Sequence, residues 1–311
     1  MPARVNHSPS TESAPAASPA EGPARAGFTG PALSRRSVLW MAGAALVPSG
    51  CMNTLLGQRN QYGPPPTGAS KSEIFKHLNG NISKIYAWRS TSITIHSRLI
   101  PMRLSGQVAV ESPRSFRMRV TSVAGDEADF GSNPERFWFW MRRNEPKHVY
   151  SCRHNDMGIA AQRLPLPFQP DWLIEVLGVI PLDESQFHVD NTDARTYTVT
   201  MSSEQLSPRG EPVKRLLLVD AQHGVVLGHS LFDARGQLIA KATLKNYRFH
   251  PLGGPHNGVN FPHTIDLDWP QANMAMTLNV GRDVEINPSG MPDATFLQPR
   301  MDGFPEFDLG R

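Results

Sequence analysis

Cysteine is nearly absent from this chain: there are two, Cys51 and Cys152, in 311 residues. So few exclude a disulfide framework or a zinc cluster built on thiolates. Excess charge of one sign is also missing. Lys and Arg number 31 against 28 Asp and Glu, for a net charge of +3, so no basic field suited to nucleic acid exists. No apolar run reaches the roughly 20 residues of a membrane-spanning helix. The strings of common catalysts are missing as well: there is no G-x-S-x-G, no H-E-x-x-H, no Walker loop and no dinucleotide glycine fingerprint. No cofactor and no metal centre is implied, and the chain does not read as an enzyme. At 39% hydrophobic and 19% charged residues, it does carry enough apolar material for a folded core.

What is present starts near the N-terminus. Residues 1–33 are rich in Pro, Ala, Ser and Gly without an apolar period and read as a disordered pre-region. Arg35 and Arg36 then precede a short apolar run, Ser37 to Val47, and a small-residue stretch ends at Cys51. A charged start, a short apolar core and a small-residue cleavage site are the layout of a secretory signal. Ser34-Arg35-Arg36-Ser37-Val38-Leu39 resembles the twin-arginine export motif. Val47-Pro48-Ser49-Gly50-Cys51 resembles a bacterial lipobox, in which the cysteine is acylated and becomes the mature N-terminus, although Pro48 stands where leucine is usual. The expected product is an exported chain held to a membrane by lipid on Cys51, and Met52 after the cysteine is compatible with the outer membrane. Cys152 then has no disulfide partner and is expected to be a buried thiol.

Residues 52–69, with three successive prolines, read as a stiff tether. Ser70 and Glu73 have capping-box spacing, and Ile74, Leu78, Ile82 and Ile85 recur near helical period, which predicts a helix over 71–86 weakened by Asn79, Gly80 and Asn81. The period then becomes two. Phe116, Met118 and Val120 alternate with Arg117, Arg119 and Thr121, so the first set should face inward and the second outward. Phe137-Trp138-Phe139-Trp140 is apolar on both faces. Pro170 and Gly178 bracket a short, very apolar helix, 171–177. Hairpins with glycine in their turns follow, a loop is expected over 250–262, and residues 287–311 read as a Pro/Gly-rich tail. Roughly ten antiparallel strands with short turns must curl into a barrel or split into a sandwich.

The order of several short strings resembles the LolA/LolB-like family of bacterial lipoprotein carriers and receptors over residues 70–286. The strings are Leu78-Asn79-x-Asn81, Leu104-Ser105-Gly106-Gln107-Val108, Ser112 to Met118, Ser132 to Trp140, Leu231-Phe232-Asp233-x-x-Gly236 and Phe261-Pro262-x-x-Ile265. The resemblance implies a mainly β fold with two or more helices. Its core is a single unclosed, strongly curved antiparallel barrel plugged by helices on its concave side, with an apolar cavity between them. It implies binding of the acyl chains of lipids or lipoproteins, and Phe116, Met118, Trp138, Phe139, Trp140, Trp172, Leu173 and Leu177 are the candidate lining. A sensor or scaffold of the same fold, binding an envelope partner protein, is the alternative. Three polar groupings remain. Asp126, Glu127 and Asp129 read as solvated loop carboxylates, and His250, His256 and His263 as loop histidines with no ligand spacing. Cys152 and His154 share a strand face, where a buried thiol is the simpler reading than a thiolate–imidazole pair.

Overall fold

Ser70 opens the first helix as the sequence predicts: its hydroxyl accepts from the Glu73 backbone at 3.3 Å, and the Glu73 carboxylate accepts from the Ser70 backbone at 2.8 Å. The helix, α1 (Lys71–Ile82), buries Ile74, Phe75, Leu78 and Ile82. The computed structural model describes residues 68–98, 102–163, 170–254 and 257–311. Arg35, Arg36, Cys51 and His256 lie outside the described residues.

After α1 comes a meander of β1 (Ala87–Ser97), β2 (Leu104–Glu111), β3 (Ser115–Ser122), β4 (Gly125–Ser132), β5 (Arg136–Met141) and β6 (Val149–Arg153). Two short helices, α2 (Met157–Arg163) and α3 (Pro170–Val176), lead to β7 (His188–Asp193). The chain then returns through β8 (Thr198–Leu206), β9 (Pro212–Asp220), β10 (Val225–Asp233), β11 (Leu238–Pro251), β12 (Gly258–Trp269) and β13 (Met274–Val280), and β14 (Glu285–Ile286) and β15 (Glu306–Asp308) follow. All belong to one sheet, in the order β15-β6-β5-β4-β3-β2-β1-β13-β12-β11-β10-β9-β8-β7, with β14 on β1. The two meanders meet where β1 pairs antiparallel with β13, and β15 joins β6 as a parallel strand. The sheet curls without closing, since β7 and β15 are its two ends. It is an unclosed, strongly curved antiparallel sheet with helices on its concave side, as the resemblance implied.

Period two holds where it was read. Phe116, Met118 and Val120 are buried in the main core, while Arg119 is exposed and Thr121 half-buried. Arg117 also leaves the core face but is covered, pairing with Asp129 at 2.8 Å and donating to the Thr295 carbonyl at 3.2 Å. Among the described residues the sheet has 15 strands rather than about ten. The largest correction is β4, where Asp126, Glu127 and Asp129 form a strand instead of a solvated loop. Glu127 and Asp129 are buried, and arginines across the pairing compensate them: Arg117 with Asp129, Arg119 with Asp126, and Arg142 and Arg143 with Glu127. The expected loop over 250–262 is likewise shortened, because β11 runs through His250 to Pro251 and β12 begins at Gly258.

Residues 292–304 cover the outer face of β3–β6, after which β15 pairs along β6 and Leu309 joins the inner cluster of Phe137, Phe139 and Cys152. Asn133 donates to the Phe296 carbonyl, Arg136 pairs with Glu306, and Trp140 meets Phe304 edge-on at 5.2 Å. This explains a strand that is apolar on both faces. Phe137 and Phe139 join Cys152 and Met157 inside, while Trp138 lies outside, its Nε1 donating to Asp129 at 3.1 Å. Trp138 rests on Gly131, where a Cβ would overlap its ring. Gly131→Ala is expected to cost about 1–3 kcal/mol through overpacking. A urea midpoint unchanged from wild type would contradict this seating of Trp138.

Candidate functional site

α3 lies on the concave face. It begins at Pro170, whose fixed φ suits a first helical position, and the chain leaves it at Gly178 with φ +79°, where a side chain would be strained. Five of its seven residues, Pro170, Trp172, Leu173, Ile174 and Val176, are buried. Trp172 packs edge-on against Trp269 with centroids 6.0 Å apart, and Trp88 Nε1 donates to the Leu177 carbonyl at 2.9 Å. The helix thus replaces solvent over an apolar floor that includes Val108, Met118, Leu244, Phe261 and Leu278. α1 covers the neighbouring part of the same face, over Val199, Met201, Leu217 and Val219.

With both helices in place little space is left beneath the C-terminal end of α3. The pocket lined by Ile82, Leu177, Leu244, Tyr247 and Phe261 measures about 30 Å³. Small-molecule pockets run to roughly 300–1,000 Å³. Beneath α3 at this place there is no room for a ligand of that size.

The candidate lining divides in two. Phe116, Met118, Trp172, Leu173 and Leu177 come together in the main core, and Phe139 belongs to an adjoining inner cluster. Trp138 and Trp140 lie on the opposite face, beneath the C-terminal segment, because they alternate with Phe137 and Phe139.

The apolar face also carries a polar cluster that sequence reasoning missed. Glu175 of α3 forms an ion pair with Arg215 of β9; Arg215 is buried and the Glu175 side chain is 15% exposed. Arg215 also donates to Gln205 Oε1 at 3.3 Å, and its guanidinium lies 5.1 Å from the Phe187 ring centroid. His229 of β10 brings Nδ1 to 3.8 Å from Glu175. Burial raises the Glu175 pKa against the opposing pull of Arg215, and burial, with the Arg215 charge, pushes His229 down to about 3. The one signal for this cluster in the sequence was Arg215 at an inward-facing position of a strand.

The remaining polar groupings have structural partners. His250 and His263 stack at 5.2 Å with their Nε2 atoms 3.0 Å apart, and His263 Nδ1 contacts the Val280 carbonyl at 3.2 Å. Burial pushes His250 down to about 4 and lowers His263 as well. No group of three potential metal ligands occurs among the described residues. Cys152 is a buried thiol that donates to the Arg153 carbonyl, and burial pushes its pKa up to about 11. His154 turns instead to the Asn133 carbonyl at 2.8 Å.

Burial also lowers His77, so His77, His229, His250 and His263 all favour the neutral form in the native state. The unfolded chain takes up protons near pH 6.5, so stability is full above that pH and falls as pH drops towards about 4 and 3, the values for His250 and His229. His229 alone should remove about 2 kcal/mol between pH 6.5 and 5. Glu175, with its raised pKa, acts in the opposite sense when it protonates. Urea titrations at pH 7.5 and 5 are expected to show the loss, and His229→Gln to reduce it. Equal wild-type stability at both pH values would contradict the burial of neutral histidines.

No family model matches the chain, and no curated protein sequence matches it either. Solved structures with a similar fold include a putative outer membrane lipoprotein-sorting protein domain from Vibrio parahaemolyticus. Its TM-score is 0.47 at 11% identity, covering 73% of this chain and 94% of that one. A DUF1329 family protein from Desulfovibrio piger gives a TM-score of 0.46 at 10% identity, covering 75% and 98%. A LolA superfamily protein from Nitrosomonas europaea gives 0.43 at 13% identity, covering 73% and 97%. No helix among the described residues is long and apolar enough to cross a membrane.

Proposed function

We propose that this chain is a non-enzymatic envelope lipoprotein whose half-barrel binds the acyl chains of lipids or lipoproteins, in transport or sorting. On this reading residues 1–33 are a pre-region and 34–51 a twin-arginine-type lipoprotein signal ending at Cys51. Residues 52–69 are the tether, 70–286 the binding domain and 287–311 a tail strapped to it. The acylated Cys51 holds the domain at a membrane, facing the periplasm, with the outer membrane favoured by Met52.

The observation that carries the reading is α3: a seven-residue helix with five buried residues, filling the concave side and leaving through a left-handed glycine. An acyl chain gains about 0.8 kcal/mol per methylene removed from water, so a carrier must offer it comparable apolar surface. Swinging α3 about Gly178 would offer the face it now covers, a gating motion of the kind loops and lids perform. Native mass spectrometry of the exported protein tests this, with co-purified lipid expected. Intact mass of wild type and Cys51→Ala tests the anchor, and an unmodified Cys51 or a chain starting at Met1 would overturn it. The small size of the pocket beneath α3 favours a second reading, a sensor or scaffold of the same fold that binds a partner protein. An exported protein that carries no lipid and takes up no fatty acid would leave that reading standing.

A further inference from the structure

Three of the seven buried side-chain polar atoms without a hydrogen-bond partner among the described residues belong to neighbours of the Glu175–Arg215 pair: His229 Nδ1 lies 3.8 Å from Glu175, Ser203 stands opposite Arg215 in the β8–β9 register, and Trp172 lines a cleft with both. Buried polar groups are almost always satisfied, so such a concentration within an apolar core asks for an explanation. The pair also stands at a boundary. On one side Glu175 borders the 30 Å³ pocket with His229 and Phe261. On the other, Glu175, Arg215 and Trp172 form the inner wall of an open cleft of about 440 Å³, whose rim includes Arg114, Gln205 and Leu206.

Resting on the acyl-binding reading, we infer that Arg215 anchors the anionic head of a single-chain amphiphile, a carboxylate or phosphate, and that Glu175 holds the place of that head while α3 is closed. The two ends of the pair belong to different parts: Arg215 is fixed on β9, whereas Glu175 rides on the helix that must move. Withdrawing α3 alone would leave a guanidinium buried without its counter-charge, which is strongly unfavourable. An incoming oxyanion replaces the Glu175 carboxylate and keeps the charge balance unchanged. A fork of N–H donors suits carboxylate and phosphate alike. Gln205 and the unpartnered Ser203 hydroxyl, both on β8, remain beside Arg215 to complete the hydrogen bonds of the head. The open cleft keeps the head near water while the chain takes the space under α3. A neutral head supplies none of this compensation.

The test is competition against a fluorescent fatty acid bound to the full chain, using palmitate, hexadecyl phosphate and hexadecanol. At least one anion is expected to compete about tenfold better than the alcohol. Whether palmitate, hexadecyl phosphate or both do so identifies the head. Glu175→Gln removes the internal carboxylate and is expected to widen the ratio of anion to alcohol affinity about tenfold. Arg215→Lys keeps the charge, loses the fork and should narrow that ratio, so one variant that fails to fold leaves the other to decide. Equal competition by all three compounds, or variants that leave the ratio unchanged, would overturn the inference while acyl binding stood. If the protein binds neither the fluorescent probe nor any of the three compounds, acyl binding and the inference fall together.

Discussion

A chain ending at residue 291 is expected to lose about 5 kcal/mol of stability and to aggregate. Its last 20 residues cover Trp138 and Trp140, which are 0% and 3% exposed, and supply the parallel strand β15 on β6. Uncovering even part of two indoles, each burying some 150–250 Å², at about 25 cal/mol per Å² gives that order of magnitude. The loss would also strip the Thr295 carbonyl from Arg117 and Glu306 from Arg136, and expose the edge of β6, a template for pairing with other chains. Urea unfolding and light scattering of the truncated chain measure both effects. Wild-type stability in the truncated chain would mean that the wrap contributes nothing to the fold.

Trp172→Ala is expected to cost about 3–5 kcal/mol, the usual range for deleting a buried aromatic. Trp172 is 4% exposed and wedged against Trp269. If α3 opens readily, the same substitution should lower stability less and change release of a fluorescent fatty acid more. Equilibrium unfolding and release kinetics on one variant separate the two. Loss of folding in the variant, with no fatty-acid binding by wild type, would reduce Trp172 to core and remove the main support for a carrier.

Elements whose formation is local were legible in the sequence. The Ser70–Glu73 box, the alternation through Phe116, Met118 and Val120, and the Pro170–Gly178 helix each depend on neighbours a few residues away. Elements stabilised by distant partners were not. β4 reads as a loop because its carboxylates look solvated, and only the arginines of neighbouring strands and turns make it a buried strand. Asn79 and Asn81 read as helix-weakening. In the structure each clamps a remote backbone: Asn79 exchanges hydrogen bonds with Leu182 at 2.8 and 2.9 Å, and Asn81 with Asn260 at 3.0 and 2.7 Å. The two-sided greasiness of β5 was visible, but not that the chain's own C-terminus covers one side. Glu175 and Arg215 lie on separate elements, and no spacing rule joins them.

The strand order has a kinetic consequence. Each meander pairs neighbours in sequence, whereas the β1–β13 seam joins Ile93 to Val280 and Ile95 to Leu278, from opposite ends of the domain. Pairing between remote segments must first overcome the entropy of closing a long loop. The halves are therefore expected to form early and the seam last. A conservative cut at the seam, such as Ile95→Val, should then leave the refolding rate nearly unchanged and appear almost entirely as faster unfolding. A refolding limb slowed in proportion to the lost stability would place the seam in the folding nucleus instead.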